Sequence, residues 1–218
     1  AALMGLTLWM VALAAGLRLS SLFGTALAGV GMGVTSILLN EYQRLRVVSF
    51  LDPWQDPMGD GYQLVQSLLA IGSGGLAGQG YGLSTQKLQY LPIQSTDFIF
   101  AVIGEEMGLF VTVGVVLVFT VFILSGLFIA WNARDRFGFL MAAGVTFLIG
   151  LQAFINMAVV TNTLPNKGLS LPFISYGGSN LLFMMAGVGV LVSVANHSLR
   201  TYGQHGPVHV ESNDLFQA

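Results

Sequence analysis

Long stretches without a charged residue alternate along this chain with short polar interruptions. The charge-free runs cover 1–17, 19–40, 107–133, 137–166 and 168–199. A helix crosses the roughly 30 Å hydrocarbon core of a bilayer in about 20 apolar residues, so five spanning helices is the simplest count. The last two runs exceed one crossing and must each include polar loop. The pattern predicts an all-α, polytopic transmembrane helix bundle, with residues 1–200 as a single membrane domain. Residues 201–218 are polar and are expected to form a disordered cytoplasmic tail.

Between the second and third runs lies a long segment, 40–97, of different character. It opens with EYQRLRVVSF, where Arg44 and Arg46 sit among Leu45, Val47 and Val48, and turns at DPWQDP through Pro53 and Pro57. GYQLVQSLLAI follows, too short to cross a membrane and suited to an interfacial or re-entrant helix. The glycine-rich GSGGLAGQGYG then permits positive φ and close backbone approach, and its amides are candidates to face a ligand. Arg18, the Arg134–Arg136 turn and Arg200 fall on one side by parity, with Arg44, Arg46, Lys87 and Lys167 on the other. That count is a tie, and the short turns, where the positive-inside rule is strongest, place 40–97 on the extracellular side.

Composition agrees with a membrane protein: 54% of the 218 residues are hydrophobic and only 8% are charged. The net charge of −2 argues against a nucleic-acid binder, and the lack of cysteine removes disulfides, a thiolate nucleophile and Cys-based metal sites. The opening AALMGLTLWMVALAAGL has no initiator Met, basic region or cleavage site of a signal peptide, so we read it as a chain entered partway through.

Few residues are candidates for chemistry. Gly72, Gly74 and Ala77 fit a dinucleotide-binding spacing, but no βαβ context surrounds them. Ser95, Thr96 and Asp97, just before an apolar helix, read as an N-cap. An acid at membrane depth is also a functional candidate, and a carboxylate beside Phe98 and Phe100 could have the raised pKa of a general base. Glu105 and Glu106 are adjacent, so one of them is expected to point into the bundle and pair with a basic group. Lys167, in TLPNKGLSLPFISYGGSN, falls on the same side as Lys87, Arg44 and Arg46. Together these are a candidate cradle for an anionic lipid head group, or simply interfacial anchors. Gln152 and Asn156, four apart in one span, read as interhelical glue. The three histidines, His197, His205 and His209, have no ligand-like spacing.

FLDPWQDPMGDGYQLVQSLLAIGSGGLAGQGYG, STQKLQYLPIQSTDFIFAVIGEEMG and NTLPNKGLSLPFISYGGSN together resemble the SEDS family (shape, elongation, division, sporulation) of bacterial membrane proteins. The resemblance is collinear over nearly the whole chain and is nearer the cell-division branch, FtsW, than the rod-shape branch, RodA. It implies roughly the last five of ten helices of a peptidoglycan glycosyltransferase that polymerises lipid II in the bacterial plasma (inner) membrane. A class B penicillin-binding protein and other divisome proteins are the implied partners. Asp97 matches the family's catalytic aspartate in the motif usually written LPEAHTDFIF, and Lys167 matches its loop lysine. Thr96, Ser175, Gly177, Gly178 and Ser179 are implied substrate contacts. Ile93, Gln94 and Ser95 replace the usual Glu-Ala-His, and Asn180 stands where a second Ser is usual.

On this reading Asp97 takes the proton of the acceptor 4-hydroxyl as it attacks the donor's anomeric carbon. Lys167, Lys87, Arg44 and Arg46 would meet the charge of the pyrophosphate leaving group, with a divalent cation, Mg or Mn, as a candidate cofactor. The alternatives are a lipid II flippase, which uses the same cations and no base, and a scaffold that only recruits its transpeptidase.

Overall fold

The computed structural model describes residues 2–59, 61–83, 97–166 and 168–204, with side chains through 199. Among them the fold is entirely helical, in the order α1 (Ala2–Ala14), α2 (Leu19–Leu39), α3 (Glu41–Leu51), α4 (Tyr62–Gly74), α5 (Ile99–Trp131), α6 (Arg136–Val160) and α7 (Gly178–Gln204). Four of these, α2, α5, α6 and α7, are long and apolar enough to cross a membrane; α1 is apolar but only 13 residues long. Among the described residues no strand accompanies the glycine run, which α4 precedes where a dinucleotide site needs a strand. Residues 205–218 lie outside the described residues.

The helices have no polar face because their surroundings are apolar. What orders them is how closely they approach one another. In the spanning window of α6, 44% of the residues are buried, against 17% for α5 and 11% for α7, so α6 is the inner helix and its neighbours pack around it. Small residues make that possible. Ala142, Ala143 and Ala153 of α6 are almost fully buried, and a Cβ at Gly126 of α5 would stand 2.3 Å from the Thr146 hydroxyl. At the other end of the α5–α6 connection, the Asp135 carboxylate accepts from the Gly138 N–H at 2.8 Å, an N-cap that sets where α6 starts.

α5 is not one straight span. Gly108 has φ 74° and ψ −173°, so the helix breaks there into a short segment and a longer one beginning at Leu109. Carbonyls freed by such a break are costly in an apolar setting unless something donates to them. The glycine-rich turn after α4 supplies the donors: Gln79 and Gly80 N–H give hydrogen bonds of 2.9 and 3.0 Å to the Glu105 and Glu106 carbonyls. In return, Gly75 O accepts from Leu109 N–H at 3.0 Å. Only glycine fits this contact, since a Cβ at Gly78 would lie 2.2 Å from the Glu106 carbonyl oxygen. Two of the amides expected to face a ligand, those of Gln79 and Gly80, are therefore bound to α5.

The same docking covers the acid pair. Glu105 is fully buried and Glu106 nearly so. Two adjacent helical residues point in different directions, so both are covered only if the segment is enclosed on more than one side. α4 and the glycine turn cover one side, while Ala101 and Phe100 pack into a cluster with Ala153, Val160 and Leu171.

Candidate functional site

The short segment of α5, the α6–α7 connection and α3 meet at one end of the bundle. Asp97 lies at that junction, against Asn156 and Gly168. α5 begins at Ile99 with Phe98 at the N-cap position and no side-chain capping bond. Asp97 is thus one residue outside the cap, which corrects the N-cap reading: its carboxylate is not used to start the helix. Instead it lies against the α6–α7 connection, close enough that a Cβ at Gly168 would be 2.8 Å from its Oδ2. A glycine is what lets the backbone beside position 167 come so near a carboxylate.

The connection itself is held from three directions. The Asn156 amide of α6 donates to two backbone carbonyls, Asp97 at 2.8 Å and Leu169 at 2.6 Å. One turn earlier on the same face, Gln152 donates to the Ser170 carbonyl at 2.9 Å and to Asn180 Oδ1 at 3.3 Å. From α3, Arg46 donates to the Asn166 carbonyl at 3.0 Å and, through its other terminal nitrogen, to the Tyr42 hydroxyl, while its guanidinium stacks over the Tyr42 ring. From α4, Gln63 accepts from the Asn166 amide at 3.1 Å. Farther along, Leu171 is fully buried, and the Ser175 hydroxyl accepts from the Leu171 N–H at 2.7 Å. Phe173, edge-on to Phe122, has φ 64°, a conformation a bulky side chain adopts only when its surroundings impose it.

The predicted site residues therefore divide. Asp97 and Arg46 both reach the α6–α7 connection, Arg46 at Asn166 and Asp97 at Gly168. Arg44 is exposed, and two residues along a helix from Arg46 it points elsewhere. Ser175 is buried within the turn it closes. Gly177 is half-buried, while Gly178 and Ser179 are exposed at the start of α7. Lys87, Thr96 and Lys167 lie outside the described residues; Asn166 is anchored by Arg46 and Gln63, and Gly168 lies against Asp97.

Sequence reasoning found Gln152 and Asn156 as a polar pair but assigned them no role in the site. Their spacing of four within an apolar helix was the available signal. It says that they share a face, not that the face meets Asp97. Among the described residues, no group of three or more His, Asp or Glu side chains is placed to hold a metal ion.

The geometry can now be set beside known proteins. The model of the FtsW/RodA/SpoVE family, described as cell cycle proteins, matches residues 1–200. The chain belongs to this family. A probable peptidoglycan glycosyltransferase FtsW of a Synechocystis species is 52% identical over 198 residues, covering 90% of this chain and 50% of that protein. Stage V sporulation protein E of Bacillus subtilis is 44% identical over 184 residues, covering 84% of this chain and 50% of its own length. The chain spans about half the length of these FtsW/RodA/SpoVE relatives. Among solved structures, a chain from a peptidoglycan synthase complex that coordinates polymerization and crosslinking superimposes with a TM-score of 0.71 at 27% identity. The match covers 88% of this chain and 53% of that one. Family membership and the apolar helices together make this a multi-pass membrane protein.

Proposed function

We propose that this chain carries the catalytic carboxylate of a peptidoglycan glycosyltransferase that polymerises lipid II. The observation that carries the reading is the placement of Asp97: outside the helix cap and against Gly168 of the α6–α7 connection. Relatives named as peptidoglycan glycosyltransferases support the reaction class.

In this mechanism the acceptor's 4-hydroxyl gives its proton to the Asp97 carboxylate as its oxygen bonds to the donor's anomeric carbon. The bond from that carbon to the pyrophosphate oxygen breaks, and undecaprenyl pyrophosphate leaves with the electron pair. Arg46, which reaches the α6–α7 connection, and Lys167, Lys87 and Arg44 are the candidates to meet the developing charge. Segment 40–97 faces outward in this scheme, the chain resides in the bacterial inner membrane, and a class B penicillin-binding protein of the division machinery is the partner. The likeness to a synthase complex supports that partner class.

Asp97→Asn tests the assignment, because it retains shape while removing the base. Polymerisation of purified lipid II by the full-length protein should fall about 10²- to 10⁴-fold, the usual range for a lost general base. Glycan chains formed at the wild-type rate would reject the base assignment. Lipid II transport by the wild-type protein without any polymerisation would favour a flippase.

A further inference from the structure

We propose that Asn156 is a positioning residue for the reaction, fixing the Asp97 backbone and the lysine-bearing connection in one register. The inference rests on Asp97 acting as the base. Asp97 gains nothing from a cap, and its carbonyl is bound by Asn156 at 2.8 Å. The same NH2 group holds the Leu169 carbonyl at 2.6 Å. An amide nitrogen has two hydrogens in one plane, about 120° apart, so donating one to each carbonyl sets both the separation and the angle of the two strands of backbone. Asp97 and Gly168 are thereby brought together by a single side chain from a third element.

The state of the other amide atom points the same way. Asn156 is 2% exposed, and its Oδ1 has no hydrogen-bond partner among the described residues. A residue kept only for stability would not leave a buried acceptor unmet when leucine has nearly the same shape. Gln152, one turn away, binds the next carbonyl, Ser170, so the register of the connection is held at consecutive residues. Gln152 also reaches Asn180 of α7, whereas both donor bonds of Asn156 go to backbone at the site.

The test uses the full-length protein with purified lipid II. Asn156→Leu removes both donors at nearly constant shape, Asn156→Asp replaces them by acceptors, and Asn156→Ser leaves one. The expected result for Leu and Asp is a fall in kcat of about 30-fold or more with KM within about 3-fold of wild type, the split left by an interaction that matters only in the transition state. Ser should fall between them and wild type. A kcat within about 3-fold of wild type for Leu and Asp would overturn the proposal. So would losses that only track the melting temperature, or failure of every variant to fold, either of which would make Asn156 a core residue. Asp97→Asn, run alongside, separates the two ideas: if it turns over normally the base assignment falls, whereas its collapse beside a normal Asn156→Leu removes only the positioning role.

Discussion

Replacing Gly78 by alanine should loosen the whole junction from a distance. Gly78 has φ +82°, and an added methyl carbon would lie 2.2 Å from the Glu106 carbonyl oxygen and 2.7 Å from the Met107 carbonyl carbon. Unstrained carbon contacts are about 3.5 Å or more, so the turn must withdraw from α5 by about 1 Å. The Gln79 and Gly80 bonds to the Glu105 and Glu106 carbonyls start at 2.9 and 3.0 Å and would pass beyond hydrogen-bond range. Two lost bonds at about 1 kcal/mol each, plus about 1–2 kcal/mol for a left-handed alanine, give about 3–4 kcal/mol. The smaller unfolded-state gain of Gly→Ala, about 0.4–1 kcal/mol, does not offset this. At about 2–4 °C per kcal/mol, the full-length protein in detergent should melt roughly 10 °C lower, read by tryptophan fluorescence. Gly72→Ala is the control, because nothing lies within 4 Å of its added carbon. If Gly78→Ala melts within about 2 °C of wild type, the docking of the glycine turn onto the broken helix is not what holds α5 in place.

Two other substitutions separate roles that sequence alone leaves merged. Arg46→Lys keeps the charge but cannot serve the Asn166 carbonyl and Tyr42 together; if Arg46 anchors the connection, lipid II polymerisation should fall as far as in Arg46→Ala, and full activity in the lysine variant would assign it a purely electrostatic role. Asp135→Ala removes the α6 cap and should cost about 1 kcal/mol, seen as a melting temperature lower by about 2–4 °C with catalysis unchanged.

The spanning helices were legible because a bilayer leaves a coarse signature: long uncharged runs. The boundaries were less so. The run 107–133 reads as one span, yet α5 starts at Ile99 and breaks at Gly108, because two glutamates hide an apolar segment from any count of charge. Burial of Glu105 and Glu106 depends on α4 lying across their backbone, a contact between segments some thirty residues apart that no local pattern encodes. The glycine run announced close approach correctly, but not what it approaches. Asp97 stood out as an acid beside Phe98 and Phe100, and resemblance gave it a role. That it lies against Gly168, and that Asn156 ties the two, follows only from how α6 runs past the short segment of α5. Arg44 and Arg46 looked like a pair in the sequence; on a helix their spacing turns them apart.

The central claim is that the Asp97 carboxylate meets the reacting hydroxyl. The direct measurement is the distance between them in a structure of the full-length protein holding an acceptor and an unreactive lipid II analogue. The expected result is an Asp97 oxygen within about 3.2 Å of the acceptor 4-hydroxyl, with Arg46 or Lys167 facing the pyrophosphate. An acceptor hydroxyl bound to another carboxylate, with Asp97 more than about 6 Å away and no water between, would contradict it.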